Sequence, residues 1–241
     1  MNDNPQTQSQ TPIIRVRSLR KEYRVGDEKV VALNNINMDV MRGEICCIFG
    51  TSGSGKSTLL NQLAGMEKPS RGDVLIGNVP ISRLSEDRLA AFRQHHLGFI
   101  FQSYNLLPFL TALENVALPL SFSGTSKEER SRAAASMLVK VGLQHRLHHY
   151  PGQMSGGQQQ RVGIARAFIN HPRVVYADEP TGNLDSQTTL DVMDMMQRFA
   201  RKYNQTIILV THDPEIRAYA DRVITLQDGD IISNVTGDQI Q

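Results

Sequence analysis

The stretch GTSGSGKST, residues 50–58, matches the spacing G-x-x-x-x-G-K-[ST] in full. It follows the apolar run EICCIFG and precedes leucines at helical spacing, so we predict a buried strand, a glycine-rich loop and a helix from Lys56. Glycines let backbone N–H groups wrap a phosphate, Lys56 can neutralise phosphate oxygens, and the hydroxyl of Ser57 can reach Mg²⁺. The strand–loop–helix context argues against a chance match. The predicted phosphate-binding residues are Gly50, Thr51, Ser52, Gly53, Ser54, Gly55, Lys56, Ser57 and Thr58.

Three other predicted strands end in residues that suit hydrolysis of a bound nucleotide. The run VVYADEP contains Asp178 and Glu179 at the strand end, where ligands bind in α/β sheets. Asp178 suits Mg²⁺, and Glu179 is placed to orient and deprotonate an attacking water. His212, after TIILVT, is predicted to contact the γ-phosphate and hold Glu179 in line. Gln102, after LGFIF, is predicted to reach Mg²⁺ or the water. The alternative for Asp178 and Glu179 is a solvated acidic turn, and the alternative for His212 is a structural histidine.

A second glycine-containing stretch, MSGGQQQR at residues 154–161, begins a predicted helix near Ser155. Apolar residues at helical spacing follow it, yet Gly156 and Gly157 stand in the first turn. A glycine inside a helix costs about 1 kcal/mol relative to alanine, so a close approach to the backbone is the expected reason. Because helix N-termini bind anions, this stretch is a candidate for a second phosphate contact.

The composition is that of an ordinary globular protein, with 40% hydrophobic and 21% charged residues among 241. A net charge of +2 with scattered Lys and Arg does not indicate a nucleic-acid-binding stripe, and no nucleic-acid partner is expected. The two cysteines, Cys46 and Cys47, are adjacent on a predicted strand, so we interpret them as small core residues on opposite faces. No stretch of the sequence has the apolar length needed to cross a bilayer.

The order of predicted elements indicates one α/β domain over residues 13–241, preceded by a polar stretch, residues 1–12, that we predict to be a disordered tail. Residues 103–158 contain helical patterns and no clear long strand. We interpret them as a helical subdomain inserted into a core formed by residues 13–102 and 159–241.

These motifs, in their order along the chain, resemble the ATP-binding cassette (ABC) ATPases. The set comprises GTSGSGKST, Gln102, MSGGQ, VVYADEP, GNLD and THD, and the resemblance covers nearly all of residues 13–232. SGGQ followed by the Asp-Glu strand separates this family from other phosphate-loop ATPases. The resemblance implies an α/β fold: a P-loop NTPase (RecA-like) core with an antiparallel β subdomain and an inserted α-helical subdomain.

The resemblance also implies an activity, the hydrolysis of ATP, with ATP and Mg²⁺ as cofactors. The implied catalytic residues are Lys56, Gln102, Glu179 and His212, and the implied metal ligands are Ser57, Gln102 and Asp178.

The glycines of the second stretch are explained by the same resemblance. Members of the family close as head-to-tail dimers in which the SGGQ helix of one subunit caps the γ-phosphate held by the other subunit. Asp185 of GNLD corresponds to the loop that crosses the dimer seam, and Tyr23 to the aromatic that stacks on adenine. The alternative for Tyr23 is a strand aromatic packed on the core. The residues that correspond to an anion site acting in trans are Ser155, Gly156, Gly157 and Gln158.

Two longer stretches, residues 98–120 and 177–186, resemble the subgroup that serves lipoprotein release and macrolide or peptide export. Such ATPases pair with an ABC permease, so the chain is expected at the cytoplasmic, inner face of the cell membrane. The expected contact lies near residues 103–120. The apolar residues there form either a permease groove or the core of the helical subdomain; they are Tyr104, Leu106, Leu107, Pro108 and Phe109.

Two other functions compete with the ATPase subunit of a transporter or extractor. One is a regulatory ABC ATPase that transmits signals across the membrane and moves nothing. The other, ranked last, is a soluble ABC protein acting on DNA or ribosomes, which would usually carry two cassettes, long coiled-coil inserts or zinc cysteines. The substrate does not follow from the sequence.

Overall fold

The predicted strands and helices are present in the structure, a computed structural model that describes residues 11–239 without the side chain of Asp238. Of the predicted disordered tail, residues 1–10 lie outside the described residues. The strands are β1 (Ile14–Val25), β2 (Glu28–Val40), β3 (Ile45–Phe49), β4 (Arg71–Ile76), β5 (Val79–Pro80), β6 (Leu97–Phe101), β7 (Val174–Asp178), β8 (Thr206–Thr211), β9 (Arg222–Gln227) and β10 (Asp230–Thr236). The helices are α1 (Lys56–Leu63), α2 (Glu86–His96), α3 (Ala112–Phe122), α4 (Lys127–Lys140), α5 (Gly156–Phe168) and α6 (Ser186–Tyr203).

A six-stranded sheet in the order β10-β9-β3-β8-β7-β6 forms the centre of the molecule. Strands β9, β3, β8, β7 and β6 are parallel, and β10 pairs antiparallel with β9 at one edge. Parallel strands that are covered on both faces have nearly continuous apolar sequences. Strand β8 fits this rule, since every one of its residues is buried. The prediction of a buried strand in EICCIFG is confirmed by β3.

The register of the central sheet aligns the carboxyl ends of four parallel strands. Asp178 pairs with Phe101 on one side and with Val210 on the other, and Phe49 pairs with Thr211. The segments that follow β3, β8, β7 and β6 therefore emerge at one edge of the sheet. This edge carries all four strand-end motifs that the sequence singled out.

A second, antiparallel sheet in the order β2-β1-β4-β5 covers the core from one side. Its strands alternate between buried and exposed residues, with Ile14 and Val16 of β1 fully buried. This sheet, α1 and one face of the central sheet share an apolar cluster. The other face of the central sheet packs against α3, α4, α5 and α6 in a second cluster. The α/β fold class with an antiparallel β part is confirmed.

The boundaries of the helical subdomain stay an interpretation, because α5 begins at Gly156 and runs without a break to Phe168. One helix therefore carries the SGGQ stretch at its N-terminus and packs on the central sheet further along. Cys46 and Cys47 are buried and free, as predicted. Burial raises the pKa of the Cys47 thiol to about 12. Among residues 11–239, no helix is both long and apolar enough to span a membrane.

Candidate active site

The phosphate loop lines a cavity of about 430 Å³ at the carboxyl edge of the central sheet. This cavity brings together much of the predicted phosphate loop and two residues from other strand ends, Glu179 and His212. Its lining residues are Ala32, Ser52, Gly53, Gly55, Lys56, Ser57, Thr58, Glu179 and His212. The register of β3, β7 and β8 explains why segments more than 120 residues apart in sequence meet here.

Two glycines of the phosphate loop are required by its geometry. A Cβ on Gly50 would lie 2.3 Å from the backbone oxygen of Leu226, so only glycine fits beside β9. Gly55 has a φ of +102° and precedes α1, and a Cβ there would lie 2.6 Å from the oxygen of Ala32. No side chain caps the N-terminus of α1, so its first N–H groups, on residues that line the cavity, are free to donate to an anion.

Lys56 supplies the positive charge of the loop. Its side chain is buried, at 6% exposure, and its Nζ donates to the carbonyl oxygen of Thr51, 2.7 Å away, across the loop. The ammonium group therefore lies over the same concave surface as the backbone N–H groups. A buried ammonium with free donor capacity is the group that a phosphate oxygen would engage.

Glu179 and His212 form a hydrogen-bonded pair above the sheet edge. The Nδ1 of His212 lies 2.8 Å from Oε1 of Glu179, and the N–H of Glu179 donates to the carbonyl oxygen of Val210 at 2.9 Å. This backbone bond extends the pairing of β7 with β8, so the two side chains meet. Glu179 has a φ of +44°, a left-handed conformation that is uncommon outside glycine and often marks a functional site.

Asp178 is half-buried beside this pair, and its electrostatics suit a cation. Burial raises the pKa of Asp178 and the charge of Glu179 raises it further, while Lys56 acts in the opposite direction. Because the surroundings on balance disfavour the ionised form of this carboxylate, an added cation would stabilise that form. Among the described residues, no group of three or more His, Cys, Asp or Glu side chains could hold a metal alone. A Mg²⁺ site built mainly on substrate phosphates needs only one or two protein oxygens, and Ser57 and Asp178 fit that requirement.

Gln102 lies at the expected sheet edge but contacts the segment after Glu179. Its Nε2 donates to Oδ1 of Asn183 at 3.4 Å, and Nδ2 of Asn183 donates to the backbone oxygen of Gln102 at 3.1 Å. A Cβ on Gly182 would lie 2.6 Å from the same Nε2. Gln102 is outside the cavity lining, so its contact with Mg²⁺ or water stays a prediction.

Tyr23 is half-buried on β1 at the side of the phosphate loop. Its hydroxyl donates to Oε2 of Glu67 at 2.7 Å. Burial raises the pKa of Tyr23 and the bond to Glu67 adds to this, while a bond to Thr58 lowers it. The ring is therefore close to the end of the phosphate loop, and its stacking on adenine stays a prediction.

The SGGQ stretch starts α5 away from the cavity. Ser155 caps the helix, with its Oγ accepting from the N–H of Gln158 at 3.3 Å, and Oε1 of Gln158 accepts from the N–H of Ser155 at 3.1 Å. This capping box was missed, although S-x-x-Q is its sequence signature. The N–H groups of Gly156 and Gly157, in the first turn, have no intrahelical acceptor. They remain available to a ligand.

Both glycines of this stretch also face neighbours within the chain. A Cβ on Gly156 would lie 2.7 Å from the hydroxyl of Tyr104, and a Cβ on Gly157 would lie 2.5 Å from Cγ2 of Thr188. Thr188 is held by Asp185, which caps α6: Oδ1 accepts from the N–H of Thr188 at 3.0 Å and Oδ2 from its hydroxyl at 2.6 Å. These bonds lower the pKa of Asp185. Asp185 therefore contacts the SGGQ helix through Thr188.

Arg166 is a further site residue that sequence reasoning missed. Its guanidinium donates to the backbone oxygens of Tyr104 at 2.8 Å and Asn105 at 2.6 Å. These two residues have φ angles of +61° and +48°, so Arg166 stabilises a left-handed turn just after Gln102. Burial lowers the pKa of Arg166. No local sequence signal identifies this contact, because it joins residues about 60 positions apart.

The phosphate loop and the carboxylate–histidine pair at one sheet edge define a P-loop nucleoside triphosphatase. A family model described as "ABC transporter" matches residues 33–182. The chain belongs to that family, and it is an ATP-binding and ATP-hydrolysing cassette.

Individual relatives agree with this assignment. The macrolide export ATP-binding/permease protein MacB of Pasteurella multocida is 44% identical over 223 residues, which are 92% of this chain and 34% of that protein. MacB of Chlorobium luteolum is 45% identical over 230 residues, 95% of this chain and 34% of that protein. The chain thus spans about a third of the length of the curated relatives it matches.

Solved structures support the fold and the dimeric form of related cassettes. The dimeric post-hydrolysis state of the ATP-binding cassette MJ0796 bound to ADP and Pi has a TM-score of 0.86 and 40% identity, covering 92% of this chain and 98% of that one. The cbiO1 structure from Clostridium perfringens, part of the ABC transporter complex cbiONQ, has a TM-score of 0.85 and 30% identity, covering 95% and 90%.

Proposed function

We propose that two copies of this chain close head to tail around two ATP molecules and that ATP hydrolysis powers a membrane permease of the macrolide-export or lipoprotein-release type. The observation that carries this proposal is the separation of two anion-binding elements in one molecule. The N-terminus of α5 at Ser155 is absent from the lining of the cavity that contains Lys56. A second copy, facing the first, would supply the missing element to each cavity.

In the proposed mechanism, the N–H groups of the phosphate loop and Nζ of Lys56 hold the β- and γ-phosphates. Glu179 accepts a proton from water as the water oxygen attacks the γ-phosphorus, and ADP leaves with the electrons of the broken P–O bond. His212 orients Glu179 through the 2.8 Å contact. Ser57, Asp178 and Gln102 would hold Mg²⁺, which when bound neutralises phosphate charge.

ATP hydrolysis can drive a movement of the two subunits because each ATP is bound by both of them. Each ATP contacts both subunits, so ATP binding favours the closed dimer. Once the γ-phosphate is released, the contact between Lys56 of one copy and Gly157 of the other through that phosphate is lost. The equilibrium then returns toward the open state, since a ligand shifts a population only by its differential contacts.

Gly157 could be required for the close approach of a phosphate or for packing against Thr188. The variants Gly157→Ala and Gly157→Ala/Thr188→Ser distinguish these two explanations. In the single variant the new methyl group meets Cγ2 of Thr188. Thr188→Ser removes that methyl and keeps the hydroxyl that donates to Asp185. We expect the double variant to melt at or above the temperature of Thr188→Ser, since alanine favours the helix by up to about 1 kcal/mol. We nevertheless expect its rate of phosphate release to fall about 10²-fold, because the methyl blocks the approach of a phosphate.

Thr188→Ser alone is the matched control and should hydrolyse ATP at nearly the normal rate. Scattering measurements with ATP, in a Glu179→Gln background, should find dimers for Thr188→Ser and monomers for the double variant. Restored hydrolysis and dimerisation in the double variant would mean that Gly157 serves only the packing against Thr188.

The proposed permease contact is a groove of about 390 Å³ between β6, α3 and α5. Apolar residues of β6 and α3 line it together with Asn105 and Arg166. The stretch 106–109 does not line it: Leu106 packs against the core, and Phe109 is 71% exposed. The apolar lining residues include Leu97, Phe99, Phe101, Leu118, Pro119 and Phe122. Because Arg166 also holds the turn at Tyr104 and Asn105, just after Gln102, a helix in this groove would be linked to the nucleotide site.

Phe122 provides the test of this contact, since it lines the groove and is 68% exposed. We expect Phe122→Asp to reduce, at least about tenfold, recovery of the chain with an integral membrane protein from detergent-solubilised membranes, because a carboxylate would be desolvated in the contact. Val139→Asp, at an exposed position of α4 outside the groove, is the matched control. Equal recovery of both variants would argue against the groove. The partner's identity would also distinguish a permease from the target of a regulatory ABC ATPase.

A further inference from the structure

We infer that Glu67, which lies outside every motif described above, positions the ring of Tyr23 against the adenine base and so contributes to the affinity of the site for ATP. This inference rests on the proposed role of Tyr23 as the adenine-stacking residue. Glu67 lies four residues after the end of α1, in the connection to β4.

Glu67 connects the aromatic ring to the helix that follows the phosphate loop. Its Oε2 accepts from the Tyr23 hydroxyl at 2.7 Å, and its Oε1 accepts from Nδ2 of Asn61 at 3.2 Å. Asn61 belongs to α1, which begins at Lys56. The carboxylate therefore holds the distance between the ring, on the antiparallel sheet, and the residues that bind phosphate. A nucleotide must span this distance between its base and its β-phosphate.

Lys21 completes the arrangement around the ring. Its Nζ lies 3.1 Å from Oε2 of Glu67 and donates to the backbone oxygen of Lys68 at 2.9 Å. The same Nζ lies over the ring of Tyr23, 5.0 Å from the centroid. A cation held over one face of the ring leaves the opposite face for a flat apolar ligand such as a purine.

The charges in this cluster are compatible with a triphosphate nearby. The bond from Tyr23 holds the pKa of Glu67 below its usual range, so Glu67 is an ionised carboxylate. Lys21 balances that charge at a distance of 3.1 Å. The pair therefore anchors the ring without adding net negative charge beside the phosphates.

The hydroxyl anchor gives tyrosine an advantage over phenylalanine at position 23. Tyr23 is half-buried near the tip of the β1–β2 hairpin, where the neighbouring Val25 and Val30 are exposed. Packing alone holds such a ring weakly. A ring fixed before the ligand arrives loses less conformational freedom on binding, so the anchored ring should bind the base more tightly.

The test compares a ligand that has a base with one that has none. Binding of Mg-ATP and of inorganic tripolyphosphate to the full chain would be measured by calorimetry for Glu67→Ala, Tyr23→Phe and the double variant. We expect each single variant to weaken ATP binding about 3- to 10-fold, as expected for partial loss of one stacking contact. Tripolyphosphate affinity should be unchanged. The ATP affinity of the double variant should be no lower than that of the single variant with the lower affinity. The reason is that both changes remove the same bond, between the Tyr23 hydroxyl and Glu67.

Glu67→Gln serves as the conservative variant, since its amide oxygen still accepts from the Tyr23 hydroxyl. It should keep ATP affinity within about twofold of the unaltered chain, and in steady state Glu67→Ala should raise KM for ATP more than it changes kcat. An equal loss of tripolyphosphate affinity in Glu67→Ala would overturn the inference and make Glu67 a structural support of α1. Unchanged ATP affinity, or additive losses in the double variant, would overturn it as well.

Two controls separate failure of this inference from failure of the proposed function. Tyr23→Ala with undiminished ATP affinity would remove the stacking role of Tyr23, and with it this inference, while leaving the phosphate site in place. Lys56→Ala should lose affinity for both ligands. Retained binding of both by Lys56→Ala would count against the phosphate site itself, whatever the result at Glu67.

Discussion

Glu179→Gln is expected to lower the rate of ATP hydrolysis by about 10²–10⁴-fold, the usual contribution of a general base. The amide cannot accept the proton that the attacking water must lose. The side chain keeps its size, and its oxygen can still accept from Nδ1 of His212, 2.8 Å away in the unaltered chain. ATP binding should therefore persist. The measurements are phosphate release and equilibrium binding of ATP.

The same variant tests the proposed dimer, because slow turnover preserves the ligand that joins the two copies. With ATP, light scattering should give about twice the mass of the 26.9 kDa chain, and with ADP the mass of one chain. Glu128→Gln, at an exposed acidic residue in the first turn of α4, is the matched control and should hydrolyse ATP at nearly the normal rate. A purely monomeric Glu179→Gln with ATP bound would contradict the head-to-tail arrangement.

Lys56→Ala is expected to weaken ATP binding by a factor of roughly 30 to several thousand. The estimate follows from a loss of about 2–5 kcal/mol when one partner of a buried charge contact is truncated. Lys56 is buried in the phosphate loop and its Nζ has capacity for phosphate oxygens beyond the bond to Thr51. The change can be measured as the dissociation constant of ATP, with hydrolysis as a second readout.

The control for Lys56→Ala is Lys202→Ala, which removes an exposed ammonium at the end of α6. Both variants lose one positive charge, so a difference between them reports the position of the charge and excludes a general electrostatic effect. Unchanged ATP affinity in Lys56→Ala would contradict the assignment of residues 50–58 as the phosphate loop.

Local patterns predicted the elements of this fold well. The apolar run of β3, the leucines of α1 and the helix start at Ser155 are each contained within about ten consecutive residues. Within such a window, side-chain periodicity and turn residues reflect the backbone conformation directly. The strand-end positions of Glu179 and His212 were predictable for the same reason. Their 2.8 Å contact then followed from the parallel pairing of β7 with β8.

Contacts between distant segments were not predictable in this way. Gln102 lies at the predicted sheet edge, but its hydrogen bonds with Asn183 had no signal in the sequence. Arg166 holds the turn at Tyr104 and Asn105 by bonds to backbone oxygens, which carry no side-chain identity that a sequence pattern could register.

The sequence by itself determined which chemical groups this protein carries: a phosphate-loop motif, a carboxylate at a strand end and a glycine-led helix, each contained in a few adjacent residues. Only the tertiary structure decided which partners those residues have. Tyr23 reaches Glu67, and Gly157 faces Thr188, because the packing of sheets and helices sets distances between segments far apart in the chain. The physical reason is that backbone conformation depends mainly on near neighbours, whereas side-chain contacts depend on how all elements bury their apolar faces together.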